Sequence, residues 1–170
     1  RAIAGSNDTN ASAIGSGSIN DYEGLIYIGT SLVLTCHVPF KKTDIFHAIT
    51  TMPSPLADRF LLFAEQGIGG KALEYYLNTV IYSNDAFDTG PAPDDVYLRA
   101  NAMAAEAPPG SGGVIFMPWL NGTITPEENG YVRAGFFNLS LSVNRTHMTR
   151  AVLESIAYNN RWTMEVAEHF

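Results

Sequence analysis

The stretch GLIYIGTSLVLTCHV, residues 24–38, places two apolar runs on either side of a short polar turn. Both runs, residues 24–28 and residues 32–38, are rich in the β-branched and other apolar side chains that favour strands. The Gly-Thr-Ser sequence between them, at 29–31, is typical of a tight turn. The stretch therefore predicts two strands joined by that turn.

The segments around these two strands predict a mixed α/β domain. Residues 39–58 contain three prolines and are interpreted as irregular, because proline disrupts helices and strand ladders. Elsewhere, the spacing of apolar residues predicts a helix at 9–14, a strand at 59–64, helices at 71–82 and 94–107, strands at 114–118 and 135–137, and a helix from about residue 146 to the end. This order of elements predicts a mixed sheet rather than an all-parallel one.

The composition excludes several classes of function and limits how a ligand is held. Of the 170 residues, 46% are hydrophobic and 16% are charged, which is typical of a packed protein. A net charge of -7 without a basic tract argues against nucleic-acid binding, and no apolar run has the roughly 18 residues of a membrane-spanning helix. An acidic chain has to hold a phosphate locally, through backbone amides, hydroxyls or a metal ion.

The cysteine and histidine residues predict no metal site. Cys36 is the single cysteine, which indicates a reducing and therefore cytoplasmic location. The four histidines lack the spacing of metal ligands: His37, His47, His147 and His169. We therefore expect no metal held by the protein alone.

Four segments, taken in order, resemble the FGGY carbohydrate kinases. They are residues 4–17 (AGSNDTNASAIGSG), residues 28–31 (IGTS), residues 69–75 (GGKALEY) and residues 109–154, which include PGSGG, MPWLNG, TP and RAVLE. The resemblance implies the actin-like ATPase, ribonuclease H-like fold: an α/β domain with a mixed sheet, here truncated. At one departure, Asn138 replaces a usual Gly. Asn tolerates positive φ, so we expect the turn to survive.

The resemblance also implies a division of the chain. Residues 1–20 would be the end of an N-terminal kinase domain that carries the catalytic Asp, and residues 21–170 an FGGY C-terminal domain, incomplete at its C-terminus. The chain begins without Met and stops within a predicted helix, so we expect a fragment. An N-terminal phosphate-binding segment and a Gly-rich adenosine-binding segment would lie outside it, and the isolated chain is expected to be inactive.

Asp8 is the candidate catalytic base. The residue types alone favour a helix cap, since Asp commonly begins a helix. The resemblance instead implies that this carboxylate accepts the proton of the attacking sugar hydroxyl. Both roles can coexist, because a cap uses one carboxylate oxygen.

The resemblance assigns the nucleotide to two glycine-containing segments. Gly29, Thr30 and Ser31 would contact the phosphates of ATP; the alternative is an ordinary hairpin turn. Gly69 and Gly70 precede a predicted helix, so the free amides at the start of that helix would point at the nucleotide, and Gly70 would pack near it. Glu74, one turn further on, would bind the ribose; the alternative is a solvated helix face.

Two other sets of polar residues have structural interpretations. Trp119, Asn121 and the Thr125-Pro126 pair could form a sugar platform, but a structural loop that braces the domain is favoured. Arg150 and Glu154 are four residues apart on the last predicted helix and are expected to form an ion pair.

The resemblance implies an ATP-dependent kinase that phosphorylates a hydroxyl of a ketose, with a pentulose such as D-xylulose as the expected substrate. Mg²⁺ would arrive with ATP. The expected partners are the sugar, ATP and the N-terminal domain of the same protein, with no nucleic acid and no membrane; a homodimer stays open. The alternatives are a non-catalytic sugar- or protein-binding relative, or a kinase for glycerol, gluconate or ribulose.

Overall fold

The computed structural model describes residues 5–83, 85–87 and 89–170, and its core is a five-stranded antiparallel sheet beside a helical layer. The strands run in the order β1-β2-β5-β4-β3, and a separate two-stranded sheet joins β6 to β7. The predicted α/β class is confirmed and the sheet is not all-parallel, but every pair of these strands is antiparallel, so the sheet is not mixed. The strands are β1 (Gly24–Ile28), β2 (Leu32–Val38), β3 (Thr43–Asp44), β4 (Ile49–Pro53), β5 (Phe60–Gln66), β6 (Ile115–Met117) and β7 (Gly135–Phe137). The α-helices are α1 (Asp8–Gly15), α2 (Lys71–Tyr75), α3 (Val96–Glu106) and α4 (Arg145–Ala167).

The predicted pair β1 and β2 is confirmed, with Ile28 opposite Leu32 at the turn. β2 lies between β1 and β5, so both of its edges are hydrogen-bonded within the sheet. On one face Leu34 and Val38 pack with Leu62 of β5 and with the end of α4. The opposite face of β2 points toward α1 and forms the wall of the candidate site.

The prediction that residues 39–58 are irregular is wrong, because β3 and β4 form within that range. β4 contains Ile49, Thr50 and Thr51, whose branched side chains suit a strand that pairs with β5. Pro53 lies at the end of β4, beyond Thr50, where pairing with β3 stops. A proline at this position removes no hydrogen bond between β4 and β3, because their pairing does not extend that far.

The helical layer has its own core. The predicted helix at 71–82 is present, but α2 continues as a π-helix over Tyr76–Ile81. Tyr76 is fully buried, and its hydroxyl lies 3.4 Å from Thr149 Oγ1 on α4. Val152 of α4 and Phe116 of β6 belong to the same cluster, so α4 holds the small sheet against the helices.

The long loop after β6 ties the sheet to α4, in agreement with its structural interpretation. Trp119 Nε1 donates to Asn159 Oδ1 at 3.3 Å, which joins the loop to α4. Thr125 donates its hydroxyl to Ala48 O at 2.9 Å and its amide to Glu65 O at 3.1 Å, which joins the loop to the large sheet.

Two predicted local features are confirmed. Asn138 has φ of 62°, so it occupies the left-handed region expected where it replaces a glycine. Arg150 Nε lies 2.7 Å from Glu154 Oε1. Among the described residues, no helix combines the length and the apolar character needed to cross a membrane.

Candidate active site

A cavity of about 370 Å³ lies between α1 and the face of the large sheet. α1 contributes Asp8, Thr9 and Ser12 to its lining, and the β1–β2 turn contributes Ser31. Asp8 and the glycine-containing turn, which are more than 20 residues apart in the chain, therefore meet at one cavity.

Asp8 lines this cavity but does not cap α1. The N-cap is Asn7, whose Oδ1 accepts a hydrogen bond from Asn10 N at 2.8 Å. Asp8 is the first helical residue, and its Oδ1 accepts from Thr9 N at 2.8 Å. Its Oδ2 has no hydrogen-bond partner in the described part of the chain. The first turn of a helix favours negative charge, so the position suits an exposed carboxylate.

The Gly29–Ser31 turn packs directly on Gly69 and Gly70. Gly70 N donates to Gly29 O at 2.7 Å, and Gly69 N donates to Thr30 O at 2.8 Å. A Cβ at Gly69 would lie 2.5 Å from Ser31 O, and one at Gly70 would lie 2.8 Å from Gly29 O. Glycine is required at both positions because the two backbones touch, and the two predicted nucleotide segments form one unit.

The amides of Gly69 and Gly70 are not free, because both donate to the turn. Their physical role is to hold the turn. Instead, Thr30 and Ser31 keep their amides and hydroxyls without hydrogen-bond partners among the described residues. These donors, in a turn beside the cavity, are the groups that could hold an anion.

Glu74 is engaged with a neighbour on its own helix. Its Oε1 lies 2.6 Å from Lys71 Nζ, and the two side chains are 44% and 46% exposed. An ion pair this exposed is weak, so a ligand could replace either partner. Glu74 lies about one helical turn after Gly70, on the helix that begins where the two glycines contact the Gly29–Ser31 turn.

The sheet wall of the cavity contains residues that the sequence reasoning missed. They lie on β2 and β5: Val33, Thr35, Phe63 and Glu65. Strand alternation places residues 33 and 35 of β2 on one face, and the register pairs them with Glu65 and Phe63 on the same face of β5. The alternation of side chains between the two faces could be predicted from the sequence, but which of the two faces α1 covers could not.

His37 and Cys36 lie outside the cavity that Asp8 and Ser31 line. His37 is fully buried; its Nδ1 donates to Ser18 O at 2.8 Å, and its Nε2 lies 3.0 Å from Ser54 Oγ. Burial raises the pKa of the Cys36 thiol. Within residues 5–83, 85–87 and 89–170, no group of three or more His, Cys, Asp or Glu side chains is arranged to hold a metal ion.

Comparison with known proteins places the chain in a family. The model of the C-terminal domain of the FGGY family of carbohydrate kinases matches residues 24–169. The xylulose kinase of Lactococcus lactis subsp. lactis is 29% identical across 99% of this chain, and the gluconokinase of Bacillus subtilis is 31% identical across 92%. The chain spans 31% and 30% of the length of these two relatives.

Solved structures show the same fold. The xylulose kinase from Rhodospirillum rubrum superposes with a TM-score of 0.81 at 24% identity, over 97% of this chain and 31% of that one. The ligand-bound xylulose kinase from Lactobacillus acidophilus gives a TM-score of 0.78 at 26% identity, over 94% and 30%. The mixed α/β architecture is therefore that of the actin-like kinases, and this chain belongs to the FGGY family of carbohydrate kinases.

Proposed function

We propose that this chain is part of an ATP-dependent kinase that transfers the γ-phosphoryl group of ATP to a hydroxyl of a ketose, and that the ketose is a pentulose such as D-xylulose. The observation that carries the proposal is that Asp8 and Ser31 line the same cavity. A base and a phosphate-binding turn must meet in this way for the transfer to occur.

Asp8 acts as the base in this proposal. The sugar hydroxyl oxygen attacks the γ-phosphorus, the bond to the bridging oxygen of ADP breaks, and the hydroxyl proton passes to the carboxylate. Oδ2 is free of partners among the described residues, whereas Oδ1 is held by Thr9 N. One oxygen is thus positioned by the helix and the other is available to the substrate.

The turn at Gly29, Thr30 and Ser31 holds the phosphates through its unpartnered amides and hydroxyls. Gly69 and Gly70 keep the turn in place through the two short amide-to-carbonyl contacts. Glu74 binds the ribose after it leaves Lys71. Mg²⁺ arrives with ATP and neutralises the phosphate charge, since Mg²⁺ is commonly bound through substrate phosphates and few protein ligands.

The remainder of the site belongs to other parts of a longer protein. The chain spans about 31% of its L. lactis relative, and we propose that residues 1–20 end an N-terminal kinase domain while residues 21–170 belong to the C-terminal domain. That N-terminal domain would close the cavity from the other side and exclude water. A cytoplasmic location and a homodimer stay predictions.

Xylulose is favoured because proteins named xylulose kinase stand among the relatives and the solved structures. A gluconokinase at 31% identity supports a second candidate substrate, gluconate. Relatives named ribulokinase and glycerol kinase widen the range of acceptors further.

A panel of acceptors tests the function in the full-length protein that contains this chain. ADP release is measured with ATP, Mg²⁺ and D-xylulose, D-ribulose, glycerol or gluconate. We expect the highest kcat/KM with a pentulose. The absence of acceptor-dependent ADP release with every sugar and polyol would favour the alternative, a non-catalytic binding relative.

A further inference from the structure

The sheet wall of the cavity carries two polar side chains to which the proposed transfer gives no role. Thr35 lies on β2 opposite Phe63, and Glu65 lies on β5 opposite Val33. Thr35 and Glu65 are therefore diagonal neighbours on one face of the sheet, within reach of a single small ligand. Both line the cavity that Asp8 and Ser31 also line.

Thr35 has a buried hydroxyl that lacks a partner. The residue is 2% exposed, and its Oγ1 makes no hydrogen bond within the described part of the chain. A buried polar group without a partner is unfavourable, and such a group is rare in folded proteins. Thr35 lines the cavity but its Oγ1 is closed off from solvent, so a ligand hydroxyl can become its partner once the wall moves slightly to expose it.

Glu65 is a half-buried carboxylate in a similar situation. Its backbone carbonyl is held by Thr125 N at 3.1 Å, which fixes the strand at this point. Its side chain makes no hydrogen bond or ion pair with any described residue, and Val33 and Phe63 beside it are apolar. An ionised carboxylate only accepts hydrogen bonds, so the hydroxyl groups of a ligand in the cavity can donate to it in place of water.

The cavity sets the class of that ligand. Its volume of about 370 Å³ is at the low end of small-molecule pockets, which span about 300–1,000 Å³. Hydroxyl groups can donate to Glu65 and pair with Thr35. An anionic acceptor would instead meet two carboxylates, Asp8 and Glu65, on opposite walls, and like charges repel.

We propose that Glu65 and Thr35 determine acceptor specificity: they bind hydroxyls of the sugar away from the phosphorylated one, and Glu65 selects a neutral ketose or polyol over an aldonate such as gluconate. This inference rests on the proposed kinase function and adds the substrate class. Thr35 on β2 and Glu65 on β5 affect binding of the sugar rather than the phosphoryl-transfer step.

The test uses variants of the full-length protein, with kcat and KM measured separately for D-xylulose, gluconate and ATP. Glu65→Ala is expected to raise KM for D-xylulose about tenfold, while kcat and the KM for ATP stay near the wild-type values. Glu65→Gln is expected to lower the preference for D-xylulose over gluconate by about tenfold, because it removes the repelling charge. Glu106→Gln, at an exposed position of α3, is the matched control and should change neither value.

Thr35 needs a pair of variants because it is buried. Thr35→Val removes the hydroxyl at nearly constant shape and should raise KM for D-xylulose severalfold, whereas Thr35→Ser keeps the hydroxyl and should stay within about twofold of the wild type. The melting temperature of each variant is measured as a check on folding. A lowered melting temperature with unchanged sugar KM would mean that these residues only support structure and would overturn the inference.

Two results separate this inference from the proposed function. A wild-type protein that phosphorylates sugars, combined with Glu65 variants of unchanged KM and unchanged selectivity, overturns the inference alone. If the wild type phosphorylates no sugar, the binding of D-xylulose to the wild type and to Glu65→Ala is measured by calorimetry. Binding that Glu65→Ala weakens about tenfold supports the inference without the kinase, and no binding to the wild type refutes both.

Discussion

Two carboxylates of this molecule, Glu65 and Glu154, lie in opposite kinds of environment. Glu154 on α4 accepts hydrogen bonds from Arg150 Nε at 2.7 Å, Gly110 N at 3.0 Å and Ser111 Oγ at 2.8 Å. Glu65 in the cavity makes no side-chain bond among the described residues. A carboxylate whose acceptor capacity is filled stabilises the fold, and one that is left open beside a cavity is available to a ligand.

The cluster around Glu154 joins three segments. Arg150 also donates to Ala107 O at 3.0 Å, so it satisfies a carbonyl at the C-terminus of α3. Ser111, fully buried with φ of 53°, is held in the left-handed region by its bond to Glu154. Changes in this cluster should affect stability, and changes around the cavity should affect catalysis.

The largest expected effect is on the cavity side. Asp8→Asn in the full-length protein should lower kcat for the preferred sugar about 10²–10⁴-fold, because a general base contributes about that much. The melting temperature should stay within about 1 °C of the wild type, since Asn7 caps α1. Asp58→Asn is the control, because Asp58 is exposed and Asn tolerates its positive φ. Equal kcat in the Asp8 and Asp58 variants would exclude Asp8 as the base.

Gly69→Ala tests whether packing beneath the turn positions the phosphate. The added Cβ would lie 2.5 Å from Ser31 O, a backbone atom, so the turn has to move. We expect KM for ATP to rise about tenfold or more and stability to fall by about 1–3 kcal/mol. Gly130→Ala, with open space around the added Cβ and no positive φ, is the control. An unchanged KM for ATP would show that the contact between Gly69 and the turn is not needed for nucleotide binding.

Glu154→Ala should lower stability and leave catalysis nearly unchanged, which is the reverse of the effect expected for Asp8→Asn. Removing the carboxylate leaves Arg150 and Ser111, both largely buried, without their partner, which we expect to cost about 2–3 kcal/mol of unfolding free energy. The kcat should change less than twofold. Chemical denaturation is the measurement, and Glu165→Ala, in an exposed pair with Arg161, should be close to neutral. A large loss of kcat at unchanged stability would contradict the view that Glu154 stabilises the fold and takes no part in catalysis.

The same cluster predicts a dependence on pH. Partial burial acts to raise the pKa of Glu154, but the hydrogen bonds from Arg150, Gly110 and Ser111 outweigh it and hold this pKa below its ordinary value of 4.5. A lowered folded-state pKa contributes stability above the unfolded-state pKa, and that contribution is lost as pH falls through the folded-state value. The difference in unfolding free energy between wild type and Glu154→Gln should be constant near pH 7 and shrink below about pH 4.5. A difference that grows on acidification would refute this assignment.

Lys71→Ala should have the smallest effect. It removes the exposed partner of Glu74, and exposed pairs contribute little to stability. If Glu74 binds the ribose, freeing it should leave KM for ATP unchanged or lower it by up to about twofold. A severalfold rise would show that Lys71 itself contacts the nucleotide.

Local sequence patterns were sufficient for much of the fold and part of the site. The β1–β2 pair, the helix around 71–82 and the left-handed Asn138 follow from side-chain preferences within a few residues. β3 and β4 were missed because three prolines between residues 39 and 58 obscured a strand whose pairing depends on distant β5.

The site shows the same division between local and long-range information. Asp8 and Ser31 were identified from short motifs, and the structure brings them to one cavity. The partners of the Gly69 and Gly70 amides could not be predicted, because they are the carbonyls of Thr30 and Gly29, far away in the sequence. Glu65 and Thr35 were missed since their importance depends on which face of the sheet α1 covers.

The most direct test of this account is a structure of the full-length protein with D-xylulose and a non-hydrolysable ATP analogue. We expect the terminal phosphoryl oxygens to accept hydrogen bonds from Thr30 or Ser31 at about 2.7–3.2 Å, with one sugar hydroxyl within the same range of Asp8. A sugar and a terminal phosphate that both lie away from the cavity between α1 and the sheet, with Asp8 contacting neither, would contradict it.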